Sequence, residues 1–164
     1  RDYRLKTLGS MPTYHIPDDA EAEASMRALL LTIDRKAAIQ ADTLRLNGRD
    51  IPIRARGNGV IWFDFEALCD GPRSKVDYVE LSRSFHTLLL SGIPRFDTQR
   101  EDAARRLVEL IDELYDRRVN VIVSAAAPAS ELYQGDRLTE DFVRTASRLY
   151  EFQSEDYLAS AHRP

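Results

Sequence analysis

Cysteine is almost absent from this chain. Cys69 is its one representative among 164 residues, so no internal disulfide can form, and the usage fits a reducing compartment. A cytoplasmic location is the corresponding expectation. Long apolar runs are missing as well. No stretch approaches the roughly 20 residues that a membrane span needs. Positive charge is not in excess either. Lys and Arg number 23 against 27 Asp and Glu, a net charge of -4, which argues against nucleic-acid or membrane-surface binding driven by bulk charge. His15, His86 and His162 are scattered, and Cys69 has no C-x-x-C companion. A zinc site or a Cys-His dyad is therefore unsupported. The N-terminus has no signal-peptide pattern, and it begins with Arg1, not Met. A fragment or a processed product is the expectation that follows. Internal repeats and low-complexity tracts are lacking.

What is present is ordinary globular material, 43% hydrophobic and 30% charged, enough to bury a sizeable core in one domain or part of one. The organising stretch runs from Arg105 to Ser154. Leu107, Val108, Ile111, Leu114 and Tyr115 fall at helical spacing and make one apolar stripe. Val119, Val121, Ile122 and Val123 follow as a β-branched run ending at Ser124, Ala125 and Ala126, the pattern of a strand buried on both faces. A loop then leads to a helix that opens at Thr139. Helix, buried strand, loop, helix is the grammar of an α/β sheet.

Upstream, Asp2 to Leu8 could supply an edge strand, and Gly9 to Pro17 reads as a connector. Asp18 and Asp19 open a helix whose acidic first turns suit the macrodipole, with Met26, Leu29, Leu30 and Ile33 on its buried side. From Thr43 the period becomes two. Asn47-Gly48 is a strong hairpin signal, Pro52 marks an edge strand, and Gly57-Asn58-Gly59 makes a second turn before the aromatic-rich strand Val60 to Phe65. Thr43 to Phe65 thus predicts a three-stranded antiparallel meander. Glu66 to Lys75 is a short helix or turn closed by Gly71-Pro72. Val76 to Phe85 predicts a helix with Tyr78, Leu81 and Phe85 on one side, and His86 to Ile93 a second buried strand. Ser154 to Pro164 adds a further helical turn. The second half therefore alternates helix and strand, with crossovers long enough for parallel pairing.

Chemistry is harder to find. Nothing matches G-x-x-x-x-G-K-[ST], and no G-x-G-x-x-G follows a strand. Backbone amides and a Lys cradle a triphosphate, so this chain alone is not expected to hydrolyse ATP. Val60 to Glu66 is an apolar strand ending in carboxylates, which could hold Mg²⁺ and orient a water. Without a phosphate loop, the plainer reading is that Asp64 faces solvent or caps the next turn. Arg144 and Arg148 lie at i and i+4 beside Ser147, so two guanidinium groups share a helix face, as in a phosphate or carboxylate clamp. Surface ion pairing is the alternative, since Glu140 is four residues before Arg144 and Glu151 three after Arg148. Arg105-Arg106 is ambiguous in the same way, and Arg117-Arg118 suits a helix C-terminus. Tyr133 and Phe142 read as core or lid packing.

Five blocks in fixed order resemble a known family. They are WFDFEALCDGP with SKVDY (Ser74 to Tyr78), FHTLLLSGIP, RRLVELIDELYDRRV, SAAAPASELY and FVRTASRLYEFQSEDYL. They resemble the C-terminal half of the ZapE-type P-loop ATPases, bacterial cell-division proteins with mitochondrial relatives of the AAA+ kind. The resemblance runs from Asp2 to Leu158. Arg106-Leu107-Val108 replaces the more usual Arg-Phe-Ile, and Phe152 stands where Met is usual, apolar for apolar in both cases. It implies residues 1–17 as an extension or connector and 18–164 as the C-terminal portion of an ATPase domain, divided into a helix with the meander (18–65) and an α/β part (66–164). The implied fold is a partial P-loop-NTPase-like layered sheet with flanking helices. The implied intact protein uses ATP and Mg²⁺ and acts on division-ring polymers or in protein quality control, with the N-terminal half of the same ATPase as partner and a homo-oligomer as one working form that the resemblance allows. No cofactor or metal site is expected in this fragment, nor a nucleic-acid partner. Arg144 and Arg148 are the candidates for an arginine-finger or sensor role. A non-catalytic interaction module without a nucleotide role is the alternative.

Overall fold

A computed structural model describes residues 12–164. The edge strand expected over Asp2 to Leu8 lies outside the described residues. A short strand β1, Tyr14–His15, occupies part of the expected connector. Two residues carry no periodicity, so their pairing was invisible in the pattern. Helix α1, Ala20–Ile33, begins where the acidic cluster foretold it; Asp19 is its N-cap and accepts from the Ala22 N–H.

The expected meander is replaced by two hairpins. β2 (Asp42–Leu46) and β3 (Arg49–Ile53) form a separate antiparallel sheet, whereas β4 (Ala55–Gly57) and β5 (Val60–Asp64) belong to the main sheet. Only Arg54 separates β3 from β4, so one ribbon changes partners at that residue. Alternation shows which side chains face inward and is silent on which neighbour each strand pairs with. Both turns are as the sequence reads. Asn47 and Gly48 have φ of 48° and 81°, the left-handed pair that a two-residue hairpin needs. Asp77 then pins this hairpin. It accepts from Asn47 Nδ2 at 2.9 Å and from the Ser74 N–H at 3.0 Å, at the start of α3.

The remaining elements are α2 (Phe65–Cys69), α3 (Lys75–Ser84), β6 (Thr87–Ile93), α4 (Glu101–Asp116), β7 (Asn120–Ala125), a 3₁₀ turn (Ala129–Glu131), α5 (Thr139–Glu151) and α6 (Glu155–Ala159). The main sheet runs in the order β1-β7-β6-β5-β4, with β1, β7, β6 and β5 mutually parallel and β4 antiparallel at the edge. Val60, Thr87 and Asn120 stand in register across its centre.

The pleat sorts these strands into two cores. Val60, Trp62, Leu89 and Ile122 point toward Met26, Leu29 and Leu30 of α1. Ile61, Phe63, Leu88, Leu90, Val121 and Val123 point the other way, toward Leu107, Ile111 and Leu114 of α4 and Phe142 of α5. The result is a layered α/β fold with helices on both faces of a mostly parallel sheet.

Candidate functional site on the α4–α5 face

Arg144 and Arg148 do share a face of α5, and that face turns toward α4. There both meet Asp112. Arg144 donates from Nε and Nη2 to the two Asp112 oxygens at 3.1 and 3.0 Å, a bidentate fork. Arg148 donates from Nη1 to the same carboxylate at 2.5 Å. Asp141 accepts a third bond from Arg144 at 3.3 Å. These hydrogen bonds, chiefly those to Asp112, raise the pKa of Arg144 further above its ordinary value.

The Arg148 guanidinium also lies 4.5 Å from the centre of the Tyr115 ring, and Arg118 approaches that ring at 4.9 Å. Cations stacked on an aromatic face are held by its quadrupole. Tyr115 donates its hydroxyl to Glu151 at 2.8 Å, and that bond raises the hydroxyl pKa. Neither guanidinium is spent. Arg148 uses one N–H on Asp112, and its side chain keeps 22% exposure; that of Arg144 keeps 41%. The expected Glu140–Arg144 and Arg148–Glu151 pairings do not form; Asp112, distant in sequence, takes their place. Asp112 sits at the flank of the α4 apolar stripe, one turn after Val108, and that spacing carries no signal of this role.

Glu101 is a second residue that sequence reasoning missed. It is buried at the start of α4 and accepts from the Tyr133 hydroxyl at 2.5 Å and from the Asp136 and Arg137 N–H groups at 2.9 and 3.0 Å. Those donors, Tyr133 first, hold its carboxyl below the usual carboxylate range against the opposing effect of burial. A Cβ on Gly135 would come within 2.7 Å of the carboxylate, so glycine permits the loop to wrap it. Tyr133 stacks on Phe142 with centroids 5.3 Å apart, the packing role expected of both.

The carboxyl edge of the parallel strands is where an open α/β sheet usually binds ligands. Here it is filled by carboxylates. Ser124 donates to Asp18 at 2.7 Å and accepts from the Gly92 N–H at 3.1 Å, which ties the β1–α1 loop to β6 and β7. Asp64, the strand-end carboxylate, pairs with Arg54 at 3.4 Å; Arg54 also pairs with Glu23 and covers the Trp62 ring at 4.2 Å. Asp18, Asp19, Glu21 and Glu23 crowd the N-terminus of α1 at this edge. A triphosphate would meet like charge there, so these residues do not fit one. Among the described residues no group of three or more His, Cys, Asp or Glu side chains could hold a metal ion. Burial pushes the Cys69 thiol up to about 12, which makes it a packing residue and not a nucleophile.

Fold and site thus define a layered α/β protein with a paired-arginine face. The AFG1-like ATPase family matches residues 1–161, and the chain belongs to that family. It is 40% identical over 161 residues to a cell division protein, ZapE of Escherichia coli K12, covering 98% of this chain and 43% of that protein. An uncharacterized protein of Schizosaccharomyces pombe is 31% identical over 134 residues, or 80% of this chain and 30% of the relative. Lactation elevated protein 1 homolog B of Danio rerio is 29% identical, over 99% of this chain and 39% of the relative. The chain therefore spans less than half the length of these curated relatives. No solved structure matches it significantly. Among the described residues no helix is long and apolar enough to cross a membrane.

Proposed function

We propose that these residues are the C-terminal part of an AFG1-like ATPase that couples ATP hydrolysis to remodelling of division-ring polymers, or to protein quality control. ATP and Mg²⁺ are held by the N-terminal part of the same polypeptide, in the cytoplasm. The observation that carries this reading is the family match over 161 residues in a sequence with no phosphate loop. A neighbouring subunit in a homo-oligomer is a second place from which nucleotide could face this surface. Arg144 and Arg148 are the residues offered to it. Their support is the spare N–H capacity and partial exposure of both guanidinium groups on one helix face.

Arg148→Ala in the intact protein tests the role. Loss of ATP turnover with nucleotide affinity retained is the expected result, the mark of a contact that matters more in the transition state than in the ground state. Unchanged turnover removes the arginine from catalysis. One observation favours a second reading, a non-catalytic interaction module: Asp112 already engages both arginines. On that reading Arg148→Ala lowers stability and leaves turnover per folded molecule as it was.

A further inference from the structure

Helix α5 is apolar on two sides. Phe142, Thr145 and Leu149 are buried in the core. Val143 and Tyr150, at i and i+7, are exposed, and half-buried Ala146 at i+3 lies between them, so the three form a second stripe. Between that stripe and the 3₁₀ turn, with Pro128 and Ala129 on the far wall, lies a groove of about 660 Å³. Tyr150 and Val143 are 75% and 67% exposed, more than any other large hydrophobic side chain among the described residues. A single exposed apolar side chain is ordinary. Two of them, two turns apart on one side of the helix, beside an apolar groove make a patch that marks an interaction surface. The rim is acidic. Glu140 lies on the same stripe three residues before Val143, Glu151 lines the groove, and Glu131 follows the lining residue Ser130; all three are exposed.

We propose that this groove receives an amphipathic helix, apolar on one side and edged by Lys or Arg, from the part of the same polypeptide that lies outside these 164 residues. The inference rests on the reading of the chain as one part of a longer ATPase. Length argues for this occupant. The E. coli relative is matched over 43% of its length, so more than half of such a protein remains to be packed against this domain. Charge argues for its chemistry, because an apolar helix seats in a groove while basic flanks meet the acidic rim. The same rim argues against a second copy, since a two-fold contact through this face would set Glu131, Glu140 and Glu151 against their own equivalents.

Single-cysteine labelling tests it, because Cys69 is fully buried and leaves a new thiol as the reporter in this chain; in the intact polypeptide, cysteines outside these residues are first replaced by serine. Val143→Cys is labelled with a maleimide in this chain and in the intact polypeptide. Val76→Cys, on α3 at another exposed site, is the control. The expected result is slowing of about tenfold or more at position 143 in the intact protein, independent of its concentration, with no change at position 76. Glu140→Lys should then speed labelling at position 143 more in the intact protein than in this chain, where only the local charge acts on the thiol; an equal effect in both would overturn the basic edge. Equal labelling of position 143 in both proteins overturns the docking, as does slowing that appears in this chain alone when its concentration is raised. ATP turnover of the intact protein keeps the two ideas apart. An unprotected but active protein loses only the groove, and an inactive wild-type protein loses the ATPase reading.

Discussion

A carboxylate wrapped by donors is a pH sensor of stability, and Glu101 is such a residue. In the folded chain its carboxyl is held low by Tyr133 and by the Asp136 and Arg137 amides. The unfolded chain binds that proton more readily. Its stabilising effect is therefore complete above the ordinary Glu value and is lost as pH falls through the lower folded value. Glu101→Gln should lower the urea midpoint at neutral pH. The gap to wild type should close as the pH is taken down into the acid range, because the wild type alone loses the charge. Trp62 makes this measurable by fluorescence, as the only tryptophan and a fully buried one. A gap that stays constant with pH would deny the carboxylate this role. None of it was legible in the sequence, where Glu101 is one acid among 27. Its donors arrive from a loop more than 30 positions away.

Between elements, apolar packing and one shared carboxylate hold α5 against α4. Phe142 and Leu149 supply the apolar contact, and Asp112 adds three charge-assisted bonds from Arg144 and Arg148. Asp112→Ala should cost about 1–3 kcal/mol, since it leaves two partly buried guanidinium groups short of an acceptor. Arg148→Ala in that background should cost less than it does in the wild type, and additive losses would show that the two side chains act separately. The apolar stripes of α4 and α5, the strand Asn120–Ala125 and the Asn47-Gly48 turn were all readable, because each is encoded by neighbours in sequence. The partner change at Arg54 was not. A period of two places Leu44, Ile51 and Ile53 inward whichever strand lies alongside.

At the scale of the whole molecule, the distribution of charge decides what the sheet can hold. Its carboxyl edge and the N-terminus of α1 carry Asp18, Asp19, Glu21 and Glu23, where an anion site would need bare amides or cations. Titration of this chain with ATP and Mg²⁺ should show no appreciable binding by calorimetry, and purified chain should release no phosphate. Micromolar affinity would overturn both the charge argument and the division of labour proposed for the two parts of the protein.

The sequence by itself determined the class of fold, the family and the positions of most helices and strands. Local spacing, turn chemistry and block order are properties of contiguous residues. Tertiary structure alone decided that β3 and β4 serve different sheets, that Asp112 joins both candidate arginines, and that one side of α5 remains uncovered. Each of those depends on surfaces brought together by packing of the sheet and its helices, and a linear pattern holds no record of which distant surface will meet which.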